Sequence, residues 1–310
     1  MASLREFIPA VRSIGPLKFV ITICKEISKD QLASQAAAVA YAWLFAIFPF
    51  LLFLLTLFAY IPQRHMVKPY EEISSTINKV MAKDAAQTVL GNLREVMHEP
   101  RSGLLSIGLI VTLWIASGGM SMTMSALDTA YDSTKINPFY KQRPVAILLT
   151  IIVMVLIAIV LILLPIGTAI EDWLASTQLI PGRVLWLLTF ARYLLAILLM
   201  LSILALLYTF GTRVRHRFSF LTPGAIFTVL VWVILGESFR FYVDRFGRYQ
   251  KTYGAVGGVT ILLLFFYLDA LVLLIGAEIN NLVNHAVASK GNPSAASTGT
   301  STSETRSPDQ

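Results

Sequence analysis

Apolar residues in this chain gather into long runs rather than short alternating ones. Six runs reach the ~20 residues that a helix needs to cross a bilayer core. They cover about 33–61, 103–127, 144–170, 184–208, 221–243 and 254–279. Lipid offers no partner to a backbone N–H or C=O, so each run is predicted to be a helix. A spanning barrel would show segments of about ten residues with alternating polarity instead. The predicted fold class is therefore all-α: a polytopic membrane bundle of six transmembrane helices, with amphipathic helices at its interfaces.

Two further segments have helical periodicity but too little apolar length to span. Between Pro16 and Ser28, the apolar Leu17, Phe19, Val20, Ile23, Cys24 and Ile27 are set among Lys18, Lys25 and Lys29. This predicts a helix lying in the cytoplasmic interface. Between Tyr70 and His98, Ile73, Ile77, Val80, Met81, Leu93, Val96 and Met97 recur at three- and four-residue spacing. This predicts a periplasmic helix or helical pair, packed on its own bundle or presented to a partner. From Ser289 onward the chain is rich in Ser, Thr, Gly and Pro, the composition of a disordered tail. The organisation expected is a cytoplasmic segment with an interfacial helix over 1–32, a transmembrane domain over 33–285 that includes a periplasmic helical loop at 62–102, and a disordered cytoplasmic tail over 286–310. Arg5, Glu6 and Arg12 interrupt the first residues, which argues against a cleavable leader.

Composition agrees with a membrane solvent. Hydrophobic residues make up 56% and charged residues 14%, against about 25% charged in an ordinary soluble domain. The distribution of Lys and Arg sets the orientation. Arg5, Arg12, Lys18, Lys25 and Lys29 precede the first run; Lys135, Lys141 and Arg143 lie in the second loop; Arg213, Arg215 and Arg217 lie in the fourth. The third loop has only Arg183, beside Glu171 and Asp172, although Arg245, Arg248 and Lys251 in the fifth dissent. Both termini are thus expected in the cytoplasm. The net charge of +7 is scattered between apolar segments, which suits anionic headgroups better than nucleic acid. Membrane lipids are the expected partners, with envelope proteins or a second copy of the chain as protein candidates. Cys24 is the single cysteine, so an intramolecular disulfide and a cysteine zinc cluster are excluded.

Ionisable residues inside the runs carry the chemical interest, because each costs a few kcal/mol at the bilayer centre and turns inward. Four form the candidate polar core for transport or structure: Arg192, Glu237, Arg240 and Asp269. At a rise of about 1.5 Å per residue, Arg192 lies roughly 12 Å and Glu237 roughly 9 Å from the periplasmic side. Their similar depth predicts an interhelical pair. Glu237 and Arg240 are also spaced to pair on one helix, and Arg240 alternatively snorkels to headgroups. Asp269 falls near mid-membrane with no basic residue at its depth. It reads either as a proton- or substrate-coupling carboxylate or as a neutral acid bonded to a neighbouring helix. Glu278 reads as an interfacial cap. Gly254, Gly257 and Gly258, like Ser117, Gly118, Gly119 and Ser121, permit close helix approach or unwinding around a substrate. Pro49 and Pro165 are expected to kink their helices; Pro223 occupies an opening turn, where it costs little.

Enzymatic constellations are missing from the sequence. His65, His98, His216 and His285 are widely separated, with no HxHxDH-like run for metal-assisted cleavage. No Walker loop and no GxSxG elbow occur. No cofactor, no metal and no catalytic residue is predicted.

The stretch DQLASQAAAVAYAWLFAIFPFLLFLL, Asp30 to Leu55, resembles the opening signature of the YihY/BrkB family of bacterial inner-membrane proteins. So do the stretches from Pro223 to Val259 and from Tyr267 to Asn280. The residues that carry the likeness are Ala38, Tyr41 and Pro49; Pro223, Gly224 and Trp232; Tyr242, Phe246, Tyr249, Tyr253 and Gly254; and Gly276, Ala277 and Glu278. The likeness spans about Lys25 to His285. It implies six spans and cytoplasmic ends. It also implies a choice of functions: transport of a lipid or an envelope-related anionic amphiphile, a non-transporting scaffold for envelope integrity or serum resistance, or the tRNA-processing ribonuclease activity with which the family has been labelled. The chain departs from the family pattern at Thr212-Arg213, where Pro-Asn is expected, at Asp128, where Asn is common, and at Asp269, where a small residue is expected.

Overall fold

The computed structural model describes residues 7–9, 11–12, 15–59, 102–133, 139–176, 182–214, 218–246 and 250–291. The helix predicted over 70–98, the tail beyond 291, and His65, His98 and His216 lie outside these residues. All regular structure among the described residues is helical.

A short amphipathic helix, α1 (Pro16–Lys29), follows the helical residues 7–9 and 11–12. Pro16 stands in its first turn, where a missing N–H costs nothing, and Gly15 takes the left-handed backbone (φ 87°) that turns the chain into it. The helix ends at Asp30, whose N–H donates to the Glu26 carbonyl, while the Gln31 N–H donates to that of Ser28. Gln31 then adopts φ 50°, unusual for a side chain with a Cβ, and the next helix starts at once. Phe19 is the buried residue of α1. It packs with Phe7 against Ile279, Val283 and Ala286, while Leu17, Val20 and Ile21 stay exposed. The amphipathic helix read from this stretch of sequence is therefore present, one side packed on the last helix and the other exposed.

Each of the six apolar runs becomes a single helix: α2 (Leu32–Ala59), α3 (Ser102–Ala130), α4 (Phe139–Ser176), α5 (Gly182–Phe210), α6 (Pro223–Phe246) and α7 (Gln250–Gly291). Helices α2 and α4 run on through Pro49 and Pro165. Both α4 and α7 also outlast the apolar runs that define them, so Glu171 is helical rather than in a loop, and α7 continues to Gly291. Among the described residues, four segments are long and apolar enough to cross a membrane: Tyr140–Leu164, Gly182–Phe210, Pro223–Tyr242 and Gly257–Val287. A shorter apolar stretch, Leu32–Ile47, joins them.

Consecutive helices are neighbours, and α7 closes the circuit by packing on α2 while touching α1 and α3 as well. Burial is uneven along this ring. The main core gathers at the end where α2 and α6 begin and α3 and α5 finish, and includes Leu32, Leu127, Tyr208, Ala225 and Leu274. Towards the opposite end, α5 is buried at Arg192 and Ala196, on the stripe that also holds Leu185 and Thr189, and exposes Trp186, Leu187, Phe190, Tyr193 and Leu194. The same half of α6 exposes Val233, Ile234 and Phe241. Helices α5 and α6 therefore meet at the packed end and present uncovered apolar faces at the other.

Candidate functional site

The second half of α7 carries Gly276, Glu278, Asn280 and Asn281 directly after the apolar stretch Ala270–Ile275. Helical geometry sorts them onto two faces. Asp269, Leu273, Gly276 and Asn280 follow at steps of four, three and four, and so line one stripe. That stripe meets α6. Gly224 and Gly276 lie backbone to backbone there: a Cβ on Gly224 would sit on the Gly276 carbonyl, and one on Gly276 would strike the Thr228 and Tyr208 hydroxyls. The close approach lets side chains satisfy main-chain groups. The first turn of α6 has unpaired N–H groups; that of Gly224 donates to Asn280 Oδ1 at 2.8 Å, and that of Ala225 to Thr222 Oγ1 at 3.2 Å. Asn280 Nδ2 donates onward to the Tyr131 hydroxyl at 3.3 Å. The Tyr208 hydroxyl donates to the Leu273 carbonyl at 2.9 Å and stands 3.0 Å from Thr228 Oγ1. Trp232 Nε1 donates to the Asp269 carbonyl at 3.1 Å. Burial pushes the Tyr131 phenol well above its ordinary pKa, and Tyr208 beside it adds to the shift, so it serves this network as a neutral hydroxyl.

A second knot ties the loops at this end. The Arg213 N–H donates to Asp128 Oδ1 at 2.7 Å, and Arg213 Nε lies 2.9 Å from Asp128 Oδ2. The Arg213 guanidinium also donates to Gln142 Oε1 at 2.7 Å. This joins the end of α3, the start of α4 and the turn after α5. The two departures at Asp128 and Arg213 are thus partners.

On its other face, α7 turns Glu278 and Asn281 towards α1 and the turn after α3. Asn281 Nδ2 donates to Asp132 Oδ2 at 3.1 Å. Lys29 Nζ lies 2.6 Å from Glu26 Oε2 and 3.6 Å from Asp132 Oδ1. Glu278, read as an interfacial cap, is instead 1% exposed, because α1 and the continuing α7 cover it.

The four polar-core candidates are not brought together. Arg192 is buried, but its partner is Glu171 on α4, with Nη2 and Oε2 3.5 Å apart, and not Glu237. Its Nη1 donates to the Leu164 carbonyl at 3.3 Å, and Thr189 donates to Glu171 at 2.8 Å. The predicted pair fails because α5 lies against α4 along the stripe that holds Arg192, and α4 extends far enough to bring Glu171 alongside. Glu237 pairs with Arg240 on its own helix at 3.5 Å, both largely exposed. Asp269 is half-buried at the level of Trp232, and no side chain among the described residues bonds its carboxyl. Of the motif residues, Pro223, Gly224, Trp232, Gly276 and Glu278 converge at the packed end, while Tyr41 lies exposed against Phe45. The side chains of Pro49, Tyr253 and Gly254 are outside the described set. No group of three or more His, Cys, Asp or Glu placed to hold a metal occurs among the described residues.

Residues 23–299 match the family model described as virulence factor BrkB. The chain belongs to that family. Its BrkB-family segment runs from within α1 past the end of α7. Among relatives, the chain is 33% identical to the ribonuclease-like protein YfkH of Bacillus subtilis, over 81% of this chain and 90% of that protein. It is 26% identical to a UPF0761 membrane protein of Tolumonas auensis, over 84% and 83% of the two chains. It is 23% identical to the UPF0761 membrane protein MS0032 of Mannheimia succiniciproducens, over 85% and 88%. No solved structure matches this BrkB-family chain.

Proposed function

We propose that this BrkB-family protein crosses the bacterial inner membrane six times with both ends in the cytoplasm, and transports a lipid or an envelope-related anionic amphiphile. The observation that carries the reading is the uneven ring: α5 and α6 meet at one end and expose apolar faces along the other half. An amphiphile can enter such a side from lipid with its chains still solvated. Arg240, exposed on that half of α6, offers a cation to an anionic headgroup. Asp269 stands at the level where packing gives way, without a bonding partner among the described residues. An ionisable group at membrane depth is by default a candidate for function.

The test is flux of labelled anionic phospholipid in proteoliposomes. Wild-type protein is expected to exceed protein-free vesicles, and both Arg240→Ala and Asp269→Asn are expected to fall to the protein-free level. Folded wild-type protein giving no flux would overturn lipid transport. It would favour the second reading, a scaffold acting through envelope proteins or self-association, which Arg192 supports: its guanidinium is engaged by Glu171 and Leu164 inside the α4–α5 pair. The relative's ribonuclease-like name brings no catalytic constellation to these residues.

Orientation has a built-in reporter. Cys24 is the single cysteine and is exposed on α1. A membrane-impermeant maleimide is expected to label it in inverted inner-membrane vesicles and leave it untouched in spheroplasts. Labelling in intact spheroplasts would place α1 on the periplasmic side and reverse the topology.

A further inference from the structure

The packed end holds a carboxyl group for which the described residues supply no donor. Glu278 is 1% exposed, and neither of its oxygens has a hydrogen-bond partner among the described residues. Acidic groups approach it from three places: Asp30 from the turn after α1, Asp132 from the turn after α3, and Glu26 from α1 itself. One oxygen of Asp30 is also buried without a partner. The nearby cation is already committed, since Lys29 sits on Glu26 and Asp132. Asn281, one turn further along α7, donates from Nδ2 to Asp132. Tyr131 takes its hydrogen bond from Asn280, and His285, two turns along α7, is exposed.

A buried carboxylate is expensive without a donor or a positive partner, and carboxylates held close together do not all ionise. The pocket therefore asks for a positively charged ligand. A metal ion would need several ligands placed around one point, and no such group occurs among the described residues. A proton needs only an oxygen and a neighbour that makes its loss unfavourable. We propose that Glu278, together with Asp30, forms a proton-binding site where α1, α3 and α7 meet, exchanging its proton with the solvent on that side of the membrane. Asp30 fits the same picture: burial raises its pKa from the ordinary carboxylate value, and Asp132 beside it adds to the shift. The site stands whether or not the protein transports lipid.

The sign of its pH effect follows from linkage. An unfolded chain releases the Asp30 proton within the ordinary carboxylate range, whereas the fold retains it to higher pH. Stability is therefore fully present below that range and is lost as pH rises through the raised value. Full-length protein in lipid nanodiscs should show, by infrared difference spectroscopy, a protonated-carboxyl band that disappears as pH is raised. Glu278→Gln is expected to diminish this band and to flatten the fall of Tm with pH; Asp30→Asn is expected to lower the midpoint of the band that remains. Should Glu278→Gln not fold, Asp132→Asn at the exposed rim is expected to lower the midpoint in the same way. A band that titrates identically in wild type and variants would overturn the proposal. So would its loss on adding sodium or magnesium ions at constant pH, which would make the ligand a metal cation.

Discussion

Replacing Gly276 by leucine, or Gly224 by valine, is expected to leave no folded protein to purify. The two glycines bring α6 and α7 into backbone contact, and a Cβ at either position meets main-chain or buried hydroxyl atoms. Overpacking costs about 1–3 kcal/mol when a neighbouring side chain can shift. Here the obstacle includes the Gly276 carbonyl, so the helices themselves must part. Parting them breaks the Asn280 bond to the Gly224 N–H and the Tyr208 bond to the Leu273 carbonyl. Each leaves a buried polar group unsatisfied, at about 1–3 kcal/mol apiece. The total is on the order of 5 kcal/mol, the lower end of a typical domain's whole stability. Gly118→Ala, Gly236→Ala and Gly258→Ala are the controls. A Cβ at those positions meets nothing within 4 Å, and alanine is the better helix former by about 1 kcal/mol. Thermal stability followed by size-exclusion chromatography should separate the two sets cleanly. A monodisperse Gly276→Leu protein with wild-type Tm would show that α6 and α7 do not approach this closely.

Much of the fold could be read from the chain because lipid-length apolar runs announce themselves. The six runs became α2 to α7, and the three- and four-residue spacing around Phe19 became α1. Helix ends were less legible. Hydropathy falls at Glu171 and Asp172, yet a helix need not stop where its solvent changes, and α4 continues to Ser176. The same error hid Glu278, which sits near the end of an apolar run but well before the end of α7 at Gly291. Its burial comes from α1 folding back over α7, a tertiary contact that no local pattern records. Partnerships were the least legible of all. Depth matched Arg192 to Glu237, but depth does not say which helices are adjacent. Two signals in the chain do point to partners. Asp128 and Arg213 both depart from the family pattern, and two compensating departures of opposite charge predict an ion pair. Gly224 and Gly276 are both motif glycines, and closely approaching helices are where paired glycines occur.

The pairing of Arg192 gives the sharpest discrimination between what depth alone implied and what the ring order dictates. Removing one partner of a buried ion pair costs about 3–5 kcal/mol, because the other charge is left without compensation. The Arg192 and Glu171 side chains are 6% and 17% exposed, so Arg192→Ala and Glu171→Ala should each destabilise by an amount in that range. The double variant should cost less than the sum, since it leaves no orphan charge; Thr189 would lose only its hydroxyl contact. Coupling of this kind is what a double-mutant cycle isolates. The cycle of Arg192→Ala with Glu237→Ala should be additive, because Glu237 is an exposed residue engaged with Arg240 on its own helix. If the coupling appeared with Glu237 instead, α5 would have to face α6 along this stripe. The exposed apolar faces of the two helices would then cover one another, and the lateral entrance on which the transport reading rests would be closed.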